Sequence, residues 1–140
     1  GGNNMPLEYG MSPFKWGECE KNISINYIKK YAKKLYQKDM RPIEIEKKYY
    51  LEDEKAILIY KDFGKNLGQA LSHVINIIDP QVVAIGGGLS NAYLCFKDSM
   101  IDEIKKYSPS FNINNIDIVQ SKSKEVSTLC GCSINVLNKK

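Results

Sequence analysis

Between Asp53 and Ile78 the apolar residues Ala56, Tyr60, Phe63, Leu67, Leu71, Val74 and Ile78 recur every three or four positions, with Ile57, Gly64, Ala70 and Ile75 beside them. That spacing predicts one long helix with a broad buried stripe. Gly64 and Gly68 lower its intrinsic helicity, which implies close packing against another backbone at that point. Asp79-Pro80 ends the helix, because the residue before proline is pushed out of the helical region. The β-branched run Val82-Val83-Ala84-Ile85 follows at once and predicts a strand buried on both faces. Three consecutive glycines, Gly86-Gly87-Gly88, close it.

The rest of the chain is read around this unit. Gly1 to Glu20 carries Gly, Asn and Pro punctuation and reads as loop. Ser24 to about Tyr36 forms a helix with Ile28, Tyr31, Ala32 and Leu35 on one face, and Pro42 suits the first turn of a short helix from Ile43 to about Tyr50. After the glycines, a helix from about Ala92 to Tyr107 buries Phe96, Met100, Ile101 and Ile104, and Ser108-Pro109 breaks it. Ile116 to Val119 predicts a second strand. A last helix is expected from about Val126 to Leu137, starting with the small residues Cys130, Gly131, Cys132 and Ser133. From Asp53 onward the order is helix, strand, helix, strand, helix, and crossover handedness makes the two strands parallel neighbours. Two strands make a poor sheet. Partner strands are therefore expected outside this sequence, in an N-terminal half or another subunit. The fold class is α/β in one domain, with residues 1–52 as a loop and helical region and residues 53–140 as the α/β part.

Composition narrows the function. The net charge of +4 comes almost wholly from lysine, with the single arginine Arg41. Acids alternate with the lysines from Glu44 to Lys55, and nucleic-acid surfaces concentrate basic charge and use arginine, so no nucleic-acid partner is expected. No run is apolar enough to span a membrane, and no basic-then-apolar leader opens the chain. The cysteines Cys19, Cys95, Cys130 and Cys132 lack zinc-site spacing. A reduced, cytoplasmic protein is expected. Cys130-Gly131-Cys132 reads as packing rather than redox chemistry. His73, the sole histidine, reads as a partly buried helix residue and not as a ligand or base.

The glycine turn is the chemical feature. Without a Cβ, the backbone can turn sharply and approach a flat ligand, and it leaves free N–H groups before a helix. Ligands of open α/β sheets sit beyond the carboxyl ends of the strands, where this turn lies. The candidate nucleotide contacts are Gly86, Gly87, Gly88, Leu89 and Ser90. Neither the dinucleotide G-x-G-x-x-G spacing nor a Gly-Lys-Ser/Thr phosphate loop is present.

The stretches Leu67-Gly68-Gln69-Ala70-Leu71 and Asn76-Ile77-Ile78-Asp79-Pro80-Gln81-Val82-Val83-Ala84-Ile85-Gly86-Gly87-Gly88-Leu89-Ser90 closely resemble the ROK family of repressors, open reading frames and sugar kinases. The small residues of Leu129-Cys130-Gly131-Cys132-Ser133 resemble that family's final Gly-Ala-Ala helix. The resemblance implies the C-terminal lobe of an actin-like ATPase (ribonuclease H-like) fold, with the glycine loop beside the adenosine. It further implies a glucokinase-like kinase acting on a small sugar with ATP and Mg2+, and a homo-oligomer. Leu7-Glu8-Tyr9-Gly10-Met11 resembles the family's Glu-x-Gly-His sugar motif, so Glu8 would accept hydrogen bonds from sugar hydroxyls and Gly10 would make the turn. Met11 stands where the family has the histidine that touches sugar and helps hold zinc, so no zinc is expected. Tyr9 and Trp16 could stack on a sugar ring or anchor the loop.

The family's aspartate base and first phosphate loop precede the sugar motif, and neither can be placed here. Asp62, Asp79, Asp98 and Asp117 lack the matching context. The expected role is nucleotide binding within a larger kinase, without catalysis by this segment alone. The alternatives are the effector domain of a sugar-responsive repressor and a non-catalytic dimerisation or regulatory remnant.

Overall fold

Ser24 accepts a hydrogen bond from the Tyr27 amide at 3.1 Å and so caps helix α1, Ile25–Tyr36. The structure, a computed structural model, describes residues 24–86, 91–113, 115–120 and 133–137. Pro42 supplies the first residue of α2, Pro42–Tyr50, where its missing N–H costs nothing. The Glu44 carboxylate reaches back to the Arg41 amide at 2.8 Å, satisfying another donor of that first turn. Asp53 caps the long helix α3, Glu54–Ile78, by accepting from the Lys55 amide at 2.9 Å. At the other end Asp79 adopts the left-handed conformation (φ 54°) and donates its amide to the Ile75 carbonyl.

Pro80 and Gln81 turn the chain into β1, Val82–Gly86. Helix α4, Tyr93–Tyr107, and the short α5, Pro109–Ile113, lead to β2, Asp117–Gln120, and then β3, Ser133–Leu137. Among the described residues the sheet has the order β2-β1-β3. As expected, β1 and β2 are parallel, with Val83 opposite Ile118 and Ile85 opposite Gln120. The third strand corrects the sequence reading. Residues 133–137 do not continue a helix but pair antiparallel with β1, Val82 opposite Leu137 and Gly86 opposite Ser133. Its β-branched Ile134 and Val136 suit a strand, and the open edge of β1 offers the pairing. One of the partner strands expected from elsewhere thus comes from this sequence.

Helices α3 and α4 lie side by side in parallel. A Cβ on Gly64 would stand 2.7 Å from the Phe96 carbonyl oxygen, so the predicted close packing is real and its partner is α4. Phe63 meets Phe96 edge-to-face with ring centroids 4.9 Å apart. Farther along, Gln69 donates to the buried Glu103 carboxylate at 2.8 Å, and Lys106 stands 3.6 Å from its other oxygen. At the helix ends the Asn76 side chain donates to the Tyr107 carbonyl and accepts from the Ser108 hydroxyl at 2.8 Å. Helix α1 packs antiparallel to α3, with the Tyr31 hydroxyl donating to Asp62 and the Tyr36 hydroxyl to Asp53. Tyr49 of α2 meets Tyr60 of α3 edge-to-face.

Val83 and Ile85 are fully buried and share one core with Phe63, Leu67, Phe96 and Met100. Val82 and Ala84 alternate with them and are half-buried, so burial of β1 on both faces is only partly realised among the described residues.

Candidate functional site

The carboxyl ends of β1 and β2 form one edge of the sheet. Gly86, buried, ends β1, and Gln120, exposed, ends β2 opposite Ile85. Helix α4 follows β1 in the chain and begins at Tyr93. Its first turn is fastened: Ala92 and Tyr93 are buried, and the Tyr93 hydroxyl donates to the Ile118 carbonyl of β2 at 3.2 Å. Burial raises the Tyr93 pKa, which keeps the phenol protonated and able to donate. Tyr93 also packs edge-to-face on Phe96, with Lys97 over its ring. The result is a helix start with amide donors unsatisfied within the helix, tied to β2 of the parallel strand pair through Tyr93. An α/β sheet takes up an anionic or flat ligand at its carboxyl edge, where Gly86 ends β1.

Of the five candidate nucleotide contacts, Gly86 is the one within the described residues. Gly87, Gly88, Leu89 and Ser90 lie outside them, as do Glu8, Gly10, Met11, Tyr9, Trp16, Cys19, Cys130 and Cys132. The carboxylates weighed as bases are placed. Asp62 accepts from Tyr31, Asp79 forms the left-handed cap of α3, and Asp117 opens β2 with its amide on the Gln81 carbonyl. Asp98 is exposed on α4. His73 is exposed on α3 rather than partly buried, because the stripe turns its other side to the core. Among the described residues no cluster of three or more His, Cys, Asp or Glu is placed to hold a metal ion. None of their helices is long and apolar enough to cross a membrane.

Two features escaped the sequence reading. The Tyr93–Ile118 bond joins residues 25 apart, and only the aromatic at the helix start hinted at it. Glu103 looked like any acid in a polar stretch, yet it is buried against Gly68 and Gln69. Cys95 is buried as well, and burial pushes its thiol up to about 11, far from the reactive thiolate range.

The sequence matches the profile of the ROK family over residues 15–139. The chain belongs to the ROK family. This ROK chain is 28% identical over 104 residues to an uncharacterized protein of Clostridium perfringens, covering 71% of this chain and 35% of that one. It is 32% identical over 77 residues to an N-acetyl-D-glucosamine kinase of Erwinia tasmaniensis, covering 55% of this chain and 25% of that one. The fold matches a crystal structure of a candidate sugar kinase from Cytophaga hutchinsonii with a TM-score of 0.70 at 18% identity, over 81% of this chain and 42% of that one. The chain thus spans well under half the length of these relatives, and the actin-like α/β lobe expected from the resemblance stands.

Proposed function

We propose that this ROK chain forms the nucleotide-binding wall of an ATP-dependent, glucokinase-like sugar kinase. In this reading the turn Gly86-Gly87-Gly88 lies against the adenosine and Leu89 and Ser90 continue the contact. The observation that carries it is that Gly86 and Gln120 end the parallel strands β1 and β2 at one sheet edge, with the following helix α4 tied to β2 through Tyr93. A flat base can approach glycine backbone there, and the first amides of α4 favour negative charge nearby. Magnesium would enter as the counter-ion of the nucleotide phosphates. Glu8 and Gly10 are the proposed sugar contacts.

Phosphoryl transfer to a sugar hydroxyl needs a carboxylate positioned to take the proton. Asp62, Asp79 and Asp117 have structural duties here, so this segment is assigned binding rather than proton transfer. The purified chain, given ATP, Mg2+ and a panel of hexoses, should release no sugar-dependent ADP. Turnover that disappears on replacing one of its carboxylates would overturn the assignment.

Met11, at the place of a sugar-contacting histidine, favours a second reading. A regulatory or dimerising relative would keep nucleotide or subunit contacts and bind no sugar. Sugar titration in the complete protein separates the two.

A further inference from the structure

Charge is unevenly divided along this chain. From Ser24 to Arg41 there are six cations, Lys29, Lys30, Lys33, Lys34, Lys38 and Arg41, against the single acid Asp39, a local charge of +5. The whole chain carries +4, so everything else sums to −1. The fold places these cations together. Ile28 and Ala32 turn α1 toward the core, and Lys29, Lys30, Lys33 and Lys34 are all exposed on its outer side, with Asn26 and Gln37. Lys29 and Lys33, like Lys30 and Lys34, stand one turn apart, roughly 6 Å along the axis. Lys38 and Arg41 extend the basic surface past the helix end. Lys33 pairs with Asp39 at 3.5 Å and Arg41 with Glu44 at 3.8 Å, whereas Lys29, Lys30 and Lys34 form no ion pair among the described residues.

We infer that the outer face of α1 docks the phosphate backbone of nucleic acid, without reading its sequence. The face holds no apolar side chain, so it has nothing to bury in a lipid surface. Protein interfaces are poor in lysine and centre on aromatic or arginine anchors, which this face also lacks. Closely spaced ammonium groups suit phosphates, whose binding gains from release of condensed counterions. With no arginine fork among these lysines, and with the neighbouring Tyr27 and Tyr31 half-buried and Tyr31 bonded to Asp62, base discrimination is not expected. This departs from the expectation of no nucleic-acid partner: the alternating acids behind it lie from Glu44 to Lys55, after α1, and the scarcity of arginine bears on base reading rather than on phosphate contact.

The test is fluorescence anisotropy of a labelled mixed-sequence DNA duplex of about 20 base pairs titrated with the full chain. Four phosphate contacts would lower the affinity about a hundredfold between 50 and 200 mM salt. The triple variant Lys29→Gln/Lys30→Gln/Lys34→Gln should flatten the log–log salt slope by roughly 2 to 3. A control with equal charge loss elsewhere, Lys61→Gln/Lys97→Gln/Lys105→Gln, should keep the parent slope. Protection of Lys29, Lys30 and Lys34 from acetylation by the duplex gives a second readout that needs no variant. No binding at 50 mM salt, equal losses in both triple variants, or unprotected amines would overturn the inference. Competition by poly-L-glutamate as strong as by duplex would overturn it too, by marking the face as a general polyanion surface.

Discussion

A Cβ placed on Gly68 would sit 2.6 Å from the Met100 carbonyl oxygen and 2.8 Å from the Glu103 Cβ. Both obstacles belong to α4, and neither is the free end of a flexible side chain. The α3–α4 separation is therefore set by the absence of a side chain at Gly64 and Gly68. Everything mounted on α4, including the Tyr93 bond to β2, depends on that separation.

Gly68→Ala should accordingly destabilise the protein, although alanine favours a helix interior by about 1 kcal/mol. Overpacking against a backbone that cannot yield costs about 1–3 kcal/mol, which at least offsets that gain and over most of the range exceeds it. Gly64→Ala should behave alike, since its Cβ would meet the Phe96 carbonyl at 2.7 Å. Urea denaturation measures both. A rise in the midpoint for either variant would show that the helices can move apart at no cost.

Tyr93→Phe tests how α4 is fastened over the edge. The ring contact with Phe96 survives, but the Ile118 carbonyl loses its donor. A net loss of about 1 kcal/mol is expected. Hydrogen exchange should quicken in the first turn of α4 more than at its centre. Unchanged exchange at that turn would mean the hydroxyl does not hold the helix start.

Much of this architecture was legible in the sequence because periodicity reports burial directly. The stripe from Ala56 to Ile78 returned α3 almost to the residue, and Ser24, Pro42 and Asp53 marked the starts of the first three helices. What failed depended on distant partners. Residues 133–137 were read as helix because small residues precede them, yet the edge of β1 recruits them as a strand. Pro109 was read as a stop, but proline also suits a first helical turn, and α5 begins there. Gly86 was visible through the glycine run alone, whereas the bond of Tyr93 to Ile118 and the place of Gln120 opposite Ile85 depend on the parallel pairing of β1 and β2.

Alkaline pH should weaken the fold from about pH 9 upward. Burial raises the Cys95 thiol from 9.0 to about 11, so the folded chain holds a proton that the unfolded chain releases earlier. The corresponding stability is fully present below pH 9 and is lost as pH rises through 11. Tyr31 and Tyr36 follow later, each pushed from 10.0 to about 12 by burial and by its bond to a carboxylate, Asp62 or Asp53. Cys95→Ala should remove the earliest part of the decline and leave the later part. Denaturation midpoints for parent and variant at pH 8, 9.5 and 10.5 make the comparison. Parallel curves across that range would contradict burial of the thiol.

Gly87→Val in the complete protein addresses the nucleotide reading itself. If the backbone at Gly87 lies against the adenosine, a branched side chain there takes the space of the ligand and disfavours any positive backbone angle the turn requires. ATP affinity should fall at least about tenfold, equivalent to about 1.4 kcal/mol, with little change in thermal stability. Gly64→Val provides the contrast. Its Cβ would strike the Phe96 carbonyl of α4, so stability should fall first and affinity only in proportion to the unfolded fraction. A structural glycine loses fold and affinity together, whereas a ligand-facing glycine loses affinity alone. Isothermal titration alongside calorimetric melting reads both quantities on the same samples. If Gly87→Val melts like the parent and binds ATP equally well, the nucleotide lies elsewhere and the sheet edge at Gly86 is a structural corner.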